Sequence, residues 1–164
     1  MSTTFRSVHH PGQTPRALVA LQAQARPVAA ALLAVFVVSL AAALRGHDVL
    51  APVAVAVPAA YALGATFGMS SAARTPAELH VAGGTAALRS VWDAARGRPA
   101  TFAPVLSARM VRGEVLLGLG DAIVVLRERD WGDDFEAVFV ALVDAATACR
   151  LSAADEPLRS APPA

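Results

Sequence analysis

The side chains able to do chemistry are few and scattered. The histidines are His9, His10, His47 and His80. None of their spacings is that of a metal-ligand set, so no metal site is expected. Cys149 is the single cysteine. It excludes an intrachain disulfide, a Cys-x-x-Cys pair and a thiolate cluster, and it reads as a small buried hydrophobe on the last helix. The densest polar stretch runs from Arg127 to Asp134, with Glu136 just beyond. Clustered carboxylates suit hard cations, but the calcium-loop spacing is absent. Acids at a helix start are favoured by the helix dipole without any ligand. Gly118-Leu119-Gly120 is not a dinucleotide fingerprint, because Ile123 stands where the third glycine belongs. There is no phosphate loop, nucleophile elbow or zinc motif. An enzyme would have to assemble separated residues such as His80, Asp93 and Glu114. The expectation is therefore no catalytic residue, no cofactor and no metal.

The elements that would carry these residues fall into two kinds. Val28 to Met69 is an apolar stretch broken once, by Arg45-Gly46-His47-Asp48. Its arms, Val28 to Leu44 and Val49 to Met69, hold no charge. At about 1.5 Å per residue they reach ~26 and ~31 Å, against a hydrocarbon core of ~30 Å. Residues 27–69 thus read as a two-helix transmembrane hairpin. A cleaved signal peptide is the rival for the first arm, but that arm is long for the role and a second apolar arm follows directly. Arg6, Arg16 and Arg26 precede the hairpin; Arg74, Arg89, Arg96 and Arg98 follow it. The positive-inside rule then places both termini in the cytoplasm. The absence of intramembrane charge argues against an ion or proton path. Gly64 and Gly68 have the small-xxx-small spacing of close helix packing, within the hairpin or on a partner. Pro58 is expected to kink the second arm.

Before the hairpin, residues 1–14 read as a disordered tail and 15–26 as an interfacial helix opened by Thr14-Pro15. After it, residues 74–150 read as a cytoplasmic α+β domain. Thr75-Pro76-Ala77-Glu78 fits a capping box, or leads into a short strand, Leu79 to Ala82. Residues 85–96 fit helix or strand, with strand preferred because the following strands need partners. Val105 to Val111, Val115 to Leu119 and Ala122 to Leu126 are short β-branched runs separated by glycine turns, an antiparallel meander. Phe135, Val138, Phe139, Leu142, Ala146 and Cys149 then make the apolar stripe of a helix starting at Asp133 or Asp134 and ending near Arg150. The expected fold is a membrane α-helical hairpin plus a small α+β domain. In that domain an antiparallel sheet of about five strands is covered by one C-terminal amphipathic helix. Residues 151–164 read as a disordered tail.

Charge divides the chain. Residues 71–112 carry six Arg against Glu78 and Asp93, whereas residues 113–164 carry four Arg against ten acids. Arg74, Arg89, Arg96 and Arg98 are the candidate contacts to anionic lipid headgroups. Trp131 is either a hydrophobic staple onto the last helix or an exposed contact for a partner. Nucleic-acid binding is not expected: no fold motif for it occurs and the acidic half opposes it.

A helical hairpin, the Val105–Leu126 meander and Asp130-Trp131-x-x-Asp134-Phe135 leading into a final helix together resemble bacterial membrane proteins with a pleckstrin-homology-like cytoplasmic domain. The resemblance covers residues 27–150. It implies about seven strands, a bacterial inner-membrane location and a non-enzymatic domain that binds lipid headgroups or proteins. The functional expectation is an accessory or scaffold subunit of a larger membrane complex, or a homo-oligomer. The alternative is an autonomous domain binding anionic lipid or a small ligand.

Overall fold

The computed structural model describes residues 2–159, with side chains to residue 153. The chain forms two compact units. One is residues 11–75; the other combines residues 1–10 with residues 76–164.

The first unit is two antiparallel helices, α1 (Arg16–Leu44) and α2 (Leu50–Arg74). The linker between them is five residues long, and in it Asp48 Oδ1 accepts the Leu50 N–H at 3.0 Å, a local turn that leads into α2. Both helices are long and apolar enough to cross a membrane. Large apolar side chains cover their outer surfaces, among them Leu33, Phe36, Val38, Leu63 and Phe67. The buried positions of α2 are instead small and recur at every fourth residue: Ala60, Gly64, Gly68 and Ala72. That stripe is what lets two helices approach backbone to backbone.

Residues 15–26 do not form a separate interfacial helix. They are the first turns of α1, which passes through Pro27 without a break. Proline's fixed φ suits a helix; its cost is the missing N–H, which frees the Ala23 carbonyl four residues back. Gly68 packs against that carbonyl oxygen.

The second unit is one six-stranded antiparallel sheet in the order β1-β2-β3-β4-β5-β6. The strands are β1 (Ser2–Arg6), β2 (Pro76–Ala82), β3 (Thr85–Ser90), β4 (Ala103–Val111), β5 (Glu114–Leu119) and β6 (Ala122–Arg127). The turns Gly83-Gly84 and Arg112-Gly113 each place two successive residues at positive φ, which matches the twist of a two-residue hairpin. A short helix, α3 (Val91–Ala95), follows β3, and α4 (Glu128–Trp131) with a 3-10 turn (Gly132–Asp134) follows β6. The last helix, α5 (Phe135–Arg159), covers one face of the sheet. Leu79, Val105, Val115, Leu117, Leu126, Val138 and Leu142 are fully buried between them.

The structure corrects several expectations. Residues 2–6 are not a tail: they are an edge strand, with Phe5 opposite Leu79 and Thr3 opposite Val81. The sheet therefore has six strands rather than about five. Thr75-Pro76-Ala77-Glu78 is not a capping box but the start of β2. Residues 85–96 are both things in turn, strand to Ser90 and helix from Val91. Here Ser90 Oγ accepts the Asp93 N–H at 3.0 Å and starts the helix. Helix α5 begins at Phe135 and continues past Arg150 through residue 159; the rest of the expected C-terminal tail, residues 160–164, lies outside the described residues.

Candidate functional site

In β1, β2 and β3, alternate side chains face α5. Those between them, Thr4, Arg6, Glu78, His80 and Arg89, share the opposite face. Glu78 is the centre of that face. Its side chain is only 9% exposed, yet it is ionised and held by three donors. His10 Nε2 donates to Oε1 at 2.7 Å, and Arg89 donates to Oε2 at 2.7 Å. His80 Nε2 reaches Oε2 at 3.3 Å, while its Nδ1 lies 3.0 Å from the Thr4 hydroxyl. A neutral His80 protonated on Nε2 satisfies both contacts, donating to Glu78 and accepting from Thr4. Arg89 also donates to the Asp93 carbonyl at 3.2 Å. Phe102 packs edge-on to the His80 ring.

Burial alone raises the Glu78 pKa. The His10 hydrogen bond, the Arg89 charge, the His80 hydrogen bond and the His10 charge outweigh it, and the carboxyl lies below its ordinary value. A carboxylate with both oxygens engaged and its pKa lowered is a weak proton acceptor at neutral pH. The cluster works as a fastener. It ties the segment after β1 to β2 and β3.

A second set of contacts fixes the same segment. The Ser7 hydroxyl donates to the Pro76 carbonyl at 2.7 Å, and the Ser7 N–H to the Ala77 carbonyl at 2.8 Å. The Val8 N–H donates to the Asp130 carbonyl at 2.9 Å, and His9 Nε2 lies 3.1 Å from Asp130 Oδ1. His9 and His10 thus pair with acids on two different elements, α4 and β2.

The residues singled out in the sequence fare unevenly. Gly64 lies against the backbone of Pro27 and Val28, where a Cβ would come within 2.7 Å of Val28 Cα. With Gly68 on Ala23 and Gln24, both glycines serve packing inside the hairpin. Arg89 is not a free headgroup contact, because it is committed to Glu78. Arg96 stacks on Trp92, 4.7 Å from the ring centre, and Arg98 pairs with Asp93 at 3.3 Å. Both remain exposed, as does Arg74 in the last turn of α2. Trp131 is not an exposed partner contact: it is 2% exposed and belongs to the core with Phe135 and Val138. His80 and Asp93 both lie beside Arg89, but Glu114 pairs with Arg127 at 3.0 Å on the β5–β6 hairpin instead. The role of His10 was missed, because its partner is 68 residues away. The one available signal was Thr3-Thr4-Phe5, a strand-forming run too short to register alone.

Comparison with protein-family models, with curated proteins and with solved structures finds no match to this chain. Its function therefore has to be argued from its own geometry.

Proposed function

We propose that this protein is a non-enzymatic membrane subunit: a two-span hairpin carrying an α+β unit on the cytoplasmic side, acting as an accessory or scaffold component of a larger assembly. The observation that carries this reading is the position of the hairpin within the sheet. It lies between β1 and β2, which are neighbours. A chain that leaves a sheet and returns to the adjacent strand crosses a membrane an even number of times. Two apolar helices supply that number, and the arginine distribution favours the cytoplasm for the sheet. The pleckstrin-homology-like resemblance agrees with a binding rather than a catalytic role. Within it, the lipid-headgroup alternative keeps Arg74, Arg96 and Arg98 and loses Arg89.

Two experiments test the reading. In a Cys149→Ala background, His47→Cys should react with a membrane-impermeant maleimide from outside intact cells, and Arg112→Cys only after permeabilisation. Labelling of both from the same side refutes the two-span topology. The tagged full chain, extracted in mild detergent, should co-purify with a stoichiometric set of other membrane proteins. Recovery of this chain alone refutes the accessory role.

A further inference from the structure

The last strand of the sheet is left open. β6 ends the strand order, and α5 lies over β2, β3 and β4. The two-residue turn Gly120-Asp121 closes on the pair Leu119 and Ala122. Such a turn closes on a hydrogen-bonded pair, and bonded and unbonded pairs alternate beyond it. Val124 and Leu126 are therefore bonded to β5. Ile123, Val125 and Arg127 turn their N–H and C=O groups outward.

Their side chains share the face away from α5. Ile123 is 79% exposed, because its neighbour on β5 is Gly118, which offers no side chain to cover it. Val125 is exposed beside Leu116. Natural edge strands are blunted by charge, proline or a bulge. β6 has none of these between Ala122 and Leu126. The opposite edge, β1, is mostly polar, with Ser2, Thr3, Thr4 and Arg6.

We propose that two copies of this chain join through β6, antiparallel about a two-fold axis at Val124, giving a continuous twelve-stranded sheet. Charge selects this partner and this register. Placing Val124 opposite its own copy sets Ile123 against Val125 of the second copy, and Asp121 against Arg127. The two apolar pairs then use the outward backbone groups, and an oppositely charged pair closes each end. Asp121 has no ion-pair partner among the described residues. Arg127 gives Nε to Glu114, which leaves its terminal nitrogens for a second carboxylate. A shift by two residues in either direction loses the Asp121–Arg127 pairing. An isologous contact of this kind closes on itself and does not propagate.

The test uses the full chain in its membrane, in a Cys149→Ala background. Residues facing their own copy in an unbonded antiparallel pair have Cα atoms about 4.5 Å apart, within disulfide range. Val124→Cys should therefore give a covalent dimer on mild oxidation. Ala122→Cys, four residues out of register with its copy, should not. In detergent, Asp121→Arg should weaken the dimer by about tenfold or more in Kd, from two reversed ion pairs. Ile123→Pro should abolish it, since it removes an outward N–H and no bond within the chain. Unchanged tryptophan fluorescence from Trp92 and Trp131 would show that both variants keep the fold. The proposal is overturned if Val124→Cys and Ala122→Cys cross-link equally or not at all, if Val124→Cys captures a different protein, or if folded Asp121→Arg dimerises as the wild type does. A dimer with no other protein bound would refute the accessory role and leave this interface standing.

Discussion

Replacing Glu78 by Gln tests whether the polar cluster holds the sheet together. Glutamine keeps the shape of the side chain but supplies only one acceptor oxygen. Its NH2 group then faces either the Arg89 guanidinium, which can only donate, or His10 Nε2, which can accept only by moving its proton to Nδ1. The side chains of His10 and Arg89 are only 15% and 17% exposed, so water replaces little of what is lost. Losing one charge-assisted bond and stranding one donor costs about 2–4 kcal/mol. For a unit of about 100 residues that lowers Tm by roughly 10–25 °C. The chain's two tryptophans, Trp92 and Trp131, both lie in this unit, so urea unfolding of the full chain followed by tryptophan fluorescence reports on it alone. The effect should depend on acid in a defined direction. Because the folded Glu78 carboxyl sits below its ordinary value of 4.5, the folded state binds fewer protons than the unfolded state just below that pH. The stabilisation is full above about 4.5 and is lost as pH falls through the folded value. Wild type and Glu78→Gln should thus differ most at neutral pH and converge in acid. An equal stability at pH 7, or a gap that stays constant down to pH 3, refutes the fastener role.

Gly68→Ala should destabilise arm pairing in the hairpin, although glycine to alanine in an exposed helix normally gains about 1 kcal/mol. The new Cβ would meet the Ala23 carbonyl and come within 2.8 Å of Gln24 Cα, which is backbone and cannot rotate away; a cysteine cross-link between the arms should form more slowly. Leu142→Ala removes a fully buried side chain from α5 and should cost about 2–5 kcal/mol in urea unfolding. Deleting residues 2–6 should lower the urea midpoint and cause concentration-dependent aggregation, because it strips β1 from β2 and opens a new edge; a free tail could be removed without either effect.

What could be read from the residues followed their range of interaction. The arms of the hairpin, the meander from Val105 to Leu126 and the stripe of α5 are local periodicities, and each is present, although α1 starts twelve residues before Val28 and α5 runs nine residues past Arg150. Gly64 and Gly68 were legible as packing positions, because small-xxx-small spacing has one dominant use. Apart from the lengths of α1 and α5, the failures involve partners from other elements. Ser2–Arg6 has no amphipathic repeat of its own and becomes a strand only because β2 offers an edge. Glu78 three residues after Thr75 satisfied a helix-capping pattern, yet its true partners are His10 on the segment after β1, His80 on its own strand and Arg89 on β3. Trp131 was ambiguous between staple and anchor, since an aromatic before a helix serves either purpose until burial is known. Arg89 looked like a free charge because its acid lies across a hairpin rather than along a helix.

The separation of β1 from β2 carries a further consequence for how the unit forms. Closing a flexible loop of about 70 residues costs roughly (3/2)RT ln n, about 4 kcal/mol, before any pairing is gained. Five residue pairs between two short strands would hardly repay that. Helices α1 and α2 remove most of the problem. They run antiparallel around a five-residue turn, so Arg16 and Arg74 come to the same end of the hairpin and the strands attached there are brought close. Pairing of β1 with β2 is then nearly local, with Ser7, His9 and His10 locking the connection. Forcing the arms of the hairpin apart should therefore release β1, read as lost backbone-amide protection in Ser2–Arg6 on hydrogen exchange. The membrane reading and the fold reading therefore meet in one structural fact: two apolar helices interrupt the sheet between the neighbouring strands β1 and β2.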